Sequence, residues 1–218
     1  MKMEPEETIR LLRQKIDSLD QEVLRLLNER AEVALEVGQV KVGSHIASYN
    51  PQREEEVLRR VESSSQGSFP RRAISRVFRE VISACRSLEA ELEVAYLGPP
   101  ATYTHLACIE HFGSSVEPVP KESIQEVFEA VEREKANFGM VPIENSTEGM
   151  VNRTLDMFID SDVKICGEIL IRISHDLLSM SGRAEDVERI YSHPQALAQC
   201  RQCLRKKFPQ LQPADSRS

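Results

Sequence analysis

Residues 6–42 read EETIRLLRQKIDSLDQEVLRLLNERAEVALEVGQVKV, a run without proline and with one glycine, Gly38. Ile9, Leu12, Ile16, Leu19, Val23, Leu26, Leu27, Val33, Ala34, Val37 and Val40 recur in it at the three-then-four spacing of a buried helical face. That spacing predicts one unbroken helix of roughly 55 Å. Arg13, Arg30 and Lys41 lie beside or within the apolar stripe. At about 100° and 1.5 Å per residue, Arg30 and Lys41 share a face, roughly 20° and 16 Å apart, so two long side chains there converge on one small dianion. Arg13 lies roughly 25 Å from Arg30 along the same axis and joins a common site only from another copy of the chain. On spacing alone, these cations also fit the solvated flank of a coiled-coil seam.

The next segments place this helix in a bundle. Asn50-Pro51 supplies a capping side chain and a proline at the first helical position, opening a second helix through about Ser63. Ser63-Ser64-Ser65-Gln66-Gly67-Ser68 breaks the pattern, and a third helix is expected from about Pro70 to Leu92, with Ile74, Val77, Phe78, Val81, Ile82, Cys85 and Leu88 on one face. Three helices so unequal cannot bury the first stripe within one chain. The expected solution is an intertwined homodimer whose long helices pack antiparallel.

The segments LLRQKIDSLD, LLNERAEVALEVGQVK, NPQREEEVL and VFREVISACRSLE resemble the all-helical chorismate mutase family over nearly all of residues 6 to 92. The resemblance implies an intertwined dimer in which each site takes one arginine from the partner subunit. Matched residue by residue, Arg13 falls on that partner-supplied arginine, and Arg30, Lys41 and Arg53 fall on same-subunit cations. Glu54 falls on the carboxylate that binds the substrate hydroxyl, and Glu89 on the Gln or Glu that donates to the ether oxygen. Asn50 and Cys85 match secondary positions, where the family more often has Asp and Ser.

The implied reaction, chorismate to prephenate, is a pericyclic rearrangement with no proton transfer and no covalent intermediate. The protein then only folds the enolpyruvyl arm over the ring and stabilises a polar transition state. Arginines pin the two carboxylates through forked hydrogen bonds, while the lysine faces the ether oxygen where negative charge develops. A carboxyl at Glu89 donates there only when protonated. No metal or cofactor is called for, and the residues expected to carry catalysis are Lys41, Glu89 and Arg30.

From Leu92 onward, short apolar runs alternate with helical stretches, which predicts an α/β domain. Strands are expected at 94–97, 116–119, 138–143, 163–166, 169–173 and 190–192. Ser123 with Glu126 forms a capping box for a helix from Ile124 to Glu134, and Pro194 opens another to about Phe208. Three polar loops, 98–104, 144–149 and 192–195, each follow an expected strand and precede an expected helix, where free backbone N–H groups suit an anion. Taken locally, such residues equally serve to cap the helix that follows.

Together YLGPPATYTH, VPIENSTEGMV and YSHPQALAQC resemble prephenate dehydratase, in that order. The resemblance implies a fold like that of periplasmic binding proteins and a cleft lined by Thr102, Glu144, Asn145, Ser146, Ser192 and Gln195. That reaction expels the ring hydroxyl as water while carboxylate leaves as carbon dioxide, so it wants a proton donor and an anion site. A helical chorismate mutase fused to such a domain resembles the bifunctional enzymes of phenylalanine biosynthesis. The division expected is 1–92 for the mutase and 93–218 for an N-terminal, incomplete part of the dehydratase. The sequence stops at Asp215-Ser216-Arg217-Ser218, short of the family's threonine-arginine-phenylalanine motif. On that ground mutase activity is expected without dehydratase activity.

Composition narrows the remaining classes. Net charge is −7, and no basic cluster suits nucleic acid. No apolar run reaches membrane length, and five cysteines, an odd number, fit a reduced cytoplasmic setting. Cys200 and Cys203 form a lone C-x-x-C without a second ligand pair. His105, His111 and His175 lack ligand spacing, and the Asn145-Ser146-Thr147 sequon is inert in the cytoplasm. Two alternatives remain open: a fragment of a complete bifunctional enzyme, and a non-catalytic module that pairs subunits and binds a ligand.

Overall fold

A computed structural model describes residues 4–44, 49–145, 149–211 and 213–216. Helix α1 spans Pro5–Ser44, and Gly38 is its one buried residue. The apolar stripe is exposed: Leu12 keeps 56% of its surface accessible and Val40 66%. Helix α2, Pro51–Ser64, starts as its sequence dictates, with the Asn50 side chain accepting from the Arg53 N–H at 3.0 Å and proline in the first turn. Helix α3 spans Arg71–Ser87 and buries Ile74, Ile82, Ser83, Cys85 and Arg86.

The expected third helix, running to Leu92, is too long. Leu88 and Glu89 donate their N–H groups to Cys85 O and Arg86 O, the tightened geometry of a helix end. The reason lies downstream. Leu92 is buried with Val94, Phe112 and Val116, so the chain must leave the helix early to deliver Leu92 into the α/β core.

Strand β1, Glu93–Leu97, is flanked by β2, Glu117–Lys121, and β3, Phe138–Met140, both parallel to it, in the order β2-β1-β3. Val94 lies opposite Pro118 and Phe138. Val94, Ala95 and Tyr96 are almost wholly buried, as parallel strands covered on both faces require. Pro118 and Pro120 lack N–H donors, and β2 pairs with β1 alone among the described strands, an edge place that tolerates proline. Helix α4, Tyr103–Phe112, begins at Thr102, and α5, Ile124–Glu132, begins at the expected capping box, with Glu126 N donating to Ser123 Oγ at 3.2 Å. A Cβ on Gly139 would lie 2.8 Å from Val127 Cγ1, so glycine there lets β3 and α5 approach closely. Helix α6, Asn152–Asp160, carries the fully buried Thr154, whose hydroxyl donates to Pro142 O at 2.7 Å.

The chain forms two compact units, residues 1–143 with 151–170, and residues 144–150 with 171–218. The second contains an antiparallel pair of β4, Glu144–Asn145, and β5, Gly149–Met150. It also contains β6, Tyr191–Ser192, parallel to β7, Ala214–Asp215, and helix α7, Pro194–Lys207. Two expected strands are corrected. Residues 163–166 and 169–173 form no ladder among the described residues. An apolar run reports a preference for burial and not a partner, and here Ile165 stays 67% and Leu170 98% exposed. The strand expected over 138–143 ends at Met140, and Glu144–Asn145 pairs antiparallel with Gly149–Met150 instead of leading straight into a helix.

The end of α4 docks on α3 through Gly113, whose φ is +85° and ψ 174°, a region essentially confined to glycine. A Cβ there would sit 2.4 Å from Ser83 Cβ. Gly113→Ala therefore combines backbone strain with overpacking and should cost about 2–5 kcal/mol. Chemical denaturation checks this, and an unchanged midpoint would show that the junction relaxes freely.

Candidate active site

Of the helical residues named above, Arg30, Lys41, Glu54 and Glu89 gather along α3 and its end. Lys41 Nζ donates to Glu89 Oε2 at 2.7 Å, with the two side chains 22% and 11% exposed. Gly38, one turn before Lys41, makes this approach possible: a Cβ would lie 3.0 Å from Glu89 Cγ and 3.4 Å from its Cα. Gly38 thus marks where α1 meets the chain at the end of α3, whereas the other glycine of the helix, Gly43, has nothing within 4 Å of an added Cβ. Eleven residues earlier, Arg30 Nη1 donates to Val81 O at 3.3 Å. Arg30 meeting residue 81 and Lys41 meeting residue 89 means that α1 and α3 run side by side in the same direction.

Glu54, in the first turn of α2, accepts from Arg86 Nη1 at 2.5 Å. Burial pushes its carboxyl above the usual range, against the pull of the Arg86, Arg79 and Arg30 charges. Arg30 and Glu54 therefore share one electrostatic environment. The other expected residues stand apart. Arg53 is exposed and pairs with Glu56 at 3.5 Å, and Asn50 spends its side chain on the helix cap. Cys85 is buried among core residues. Arg13 is exposed on α1, some 28 residues or roughly 42 Å of helix from Lys41.

Arg79 and Arg86 were not singled out from the sequence, although a signal existed. They sit seven residues apart on the face of α3 that also carries Ile82, and a charge on an apolar helical face needs a partner. Arg79 Nη1 donates to His111 O at 2.8 Å and Arg86 Nη2 to Phe112 O at 2.6 Å. Burial, with the Arg79 charge, holds His111 below the usual histidine value.

Of the residues expected in the dehydratase cleft, Thr102 caps α4, its hydroxyl accepting from His105 N and donating to Leu97 O at 3.4 Å. Beside it, His105 Nδ1 accepts from Ala101 N at 3.1 Å and its ring stacks on Tyr96. In the second unit Glu144 pairs with Met150 and Asn145 with Gly149, while Ser192 pairs with Asp215. Gln195 lies in the first turn of α7. Ser146 falls outside the described residues.

Residues 94–218 match the prephenate dehydratase family model. This chain belongs to the prephenate dehydratase family. Ahead of that region, residues 12–90 match the type II chorismate mutase model, so this family member carries a mutase domain fused in front. It is 48% identical over 210 residues to the bifunctional chorismate mutase/prephenate dehydratase of Aquifex aeolicus, covering 94% of this chain and 58% of that one. Against the same-named protein of Pseudomonas aeruginosa it is 43% identical over 216 residues, covering 96% and 59%. A solved chorismate mutase from Thermus thermophilus is 35% identical with a TM-score of 0.37, over 38% of this chain and 93% of that one. The chain thus spans under two thirds of the length of the curated relatives it matches. No described helix is long and apolar enough to cross a membrane.

Proposed function

We propose that the helical part, residues 1–92, rearranges chorismate to prephenate, and that residues 93–218 belong to the dehydratase that takes prephenate onward in phenylalanine biosynthesis. The observation that carries this reading is the Lys41–Glu89 contact beneath Gly38, with Arg30 along the same helix pair. A pericyclic step needs charges fixed in advance rather than groups that exchange protons. Lys41 faces the ether oxygen as its bond breaks, and Arg30 holds a substrate carboxylate. Glu54 accepts from the ring hydroxyl, and Glu89, which in the chain accepts from Lys41, donates to the ether oxygen only when it carries a proton.

The second carboxylate is held by Arg13 of another copy. The exposed stripe from Ile9 to Val40 supports an antiparallel pairing of α1 helices, because each aliphatic side chain fully buried there is worth about 1.5–3 kcal/mol. A homodimer with two shared sites follows. In the second domain, Thr102, Glu144, Asn145, Ser146, Ser192 and Gln195 are the proposed prephenate-binding residues.

Chorismate supplied to the purified chain, with prephenate and phenylpyruvate followed separately, tests both halves. Prephenate formation supports the mutase reading and its absence overturns it, while phenylpyruvate above the acid-catalysed background reports dehydratase turnover. A sharper check falls on Glu89. Glu89→Gln keeps an acceptor for Lys41 and a donor for the ether oxygen, so turnover should stay within about threefold. Glu89→Ala removes a preorganised donor and should lose roughly a hundredfold. Equal rates in the two variants would remove Glu89 from the chemistry.

A further inference from the structure

Arg86 is 5% exposed and holds three groups at once. One guanidinium nitrogen donates to Glu54 Oε1 at 2.5 Å and another to the backbone oxygen of Phe112 at 2.6 Å, while its carbon lies 4.9 Å from the centroid of the Tyr49 ring. The planar fork is thereby fixed on both prongs and from one face, an arrangement that a lysine cannot reproduce. Phe112 closes α4, and its carbonyl is one of the orphan acceptors of a helix end, so a cation there also meets the negative end of the helix dipole. The same junction is pinned by Arg79 on His111 O, by Ser115 N on Ser83 Oγ at 3.2 Å, and by Ser114 N on Glu80 Oε2 at 3.2 Å. Tyr49 packs on Phe112 at 5.7 Å and edge-on to Phe138 at 4.9 Å, carrying the contact into the α/β core.

We infer that Arg86 is a positioning residue for the mutase pocket, holding the Glu54 carboxylate in place from the end of α4, so that the α/β part of the chain helps to order the mutase site. This rests on Glu54 as the acceptor for the substrate hydroxyl. The charged and titratable groups facing Glu54 are Arg30 from α1, Arg79 and Arg86 from α3, and Tyr49 preceding α2; His111 of α4 faces Arg79 and Arg86 in turn. Without Arg86, burial acts on Glu54 with less opposition, and the carboxyl keeps its proton to higher pH. A protonated Glu54 loses the charge-assisted contact with the substrate hydroxyl.

The test compares the full chain with Arg86→Met and Arg86→Lys. In Arg86→Met, kcat/KM at pH 6 should fall at least about tenfold, mostly through KM, and much of the loss should return by pH 8.5. Arg86→Lys keeps a charge beside Glu54 but not the fork to Phe112 O, so it should restore the acid limb only in part. In a Glu54→Gln background, Arg86→Met should change kcat/KM by less than about threefold, because the group it acts through no longer titrates. A loss that is equal at both pH values and equal in both backgrounds would overturn the inference and make Arg86 a packing residue. Carbon-13 titration of the Glu54 carboxyl reads the same effect without turnover. Its midpoint should rise in Arg86→Met, or in Arg86→Gln if the methionine variant does not fold; an unchanged midpoint would overturn the proposal. An absence of chorismate turnover in the wild-type chain, by contrast, would sink the mutase reading and leave the titration to decide the role of Arg86.

Discussion

Lys41→Ala lowers chorismate turnover by about a hundredfold or more, the scale on which removal of a preorganised transition-state donor acts. The ether bond of chorismate breaks with negative charge growing on oxygen, and an ammonium group already in place stabilises that charge without reorganisation. Three features support this proposed role for Lys41: a half-buried side chain, a contact with Glu89 at 2.7 Å, and a glycine one turn earlier that lets the helices touch. The alanine variant also leaves Glu89, 11% exposed, without its ion-pair donor, so its stability should be measured beside its rate. A loss confined to kcat, with the fold intact, is the expected signature. A variant within threefold of wild type would return Lys41 to the status of a helix cation paired for structure.

Arg13→Ala should be nearly as damaging, although Arg13 lies roughly 42 Å along its own helix from Lys41. Two charge-assisted hydrogen bonds to a substrate carboxylate, at about 1.5 kcal/mol each, amount to about a hundredfold in kcat/KM. The loss should fall mainly on KM, since the carboxylate is held in ground state and transition state alike. Stability should hardly change, because Arg13 is exposed in the single chain. Retention of normal KM would mean that no second copy contributes this side chain.

Much of the helical part was legible because its signals are local. The unbroken run over 6–42, the Asn50-Pro51 start and the Ser63–Ser68 break each fix an element without help from elsewhere, and α1 and α2 follow them within two residues. The end of α3 was not legible. Glu89 continues the helical spacing, but the chain turns at Leu88 because Leu92 is needed in a core formed by residues far along the sequence. The same applies to strands. Val94–Leu97 was readable since both faces are buried, whereas the runs at 163–166 and 169–173 satisfy strand propensity yet find no ladder.

For the candidate site, Lys41, Glu89, Arg30 and Glu54 were named from motif matching, and the pairing of Lys41 with Glu89 was not foreseen. Spacing on one helix predicts that Arg30 and Lys41 share a face; it does not say which residue of α3 meets them. Arg86 went unread because its partners are a carboxylate on α2 and a backbone carbonyl on α4, and a backbone carbonyl leaves no mark in sequence. Gly38 and Gly113 were likewise silent, each required by a close approach that only the folded chain reveals.

The central claim is that two copies of this chain build each mutase site together, and mixing inactive variants tests it most directly. An Arg13→Ala chain and a Lys41→Ala chain, unfolded together in equal amounts and refolded, should form heterodimers in about half of all dimers, each with one intact site and one doubly defective site. Assayed at chorismate well below the wild-type KM, the mixture should therefore recover about a quarter of wild-type chorismate mutase activity, while each variant refolded alone stays near background. A mixture that refolds to dimers and remains as inactive as its parents would contradict the shared site.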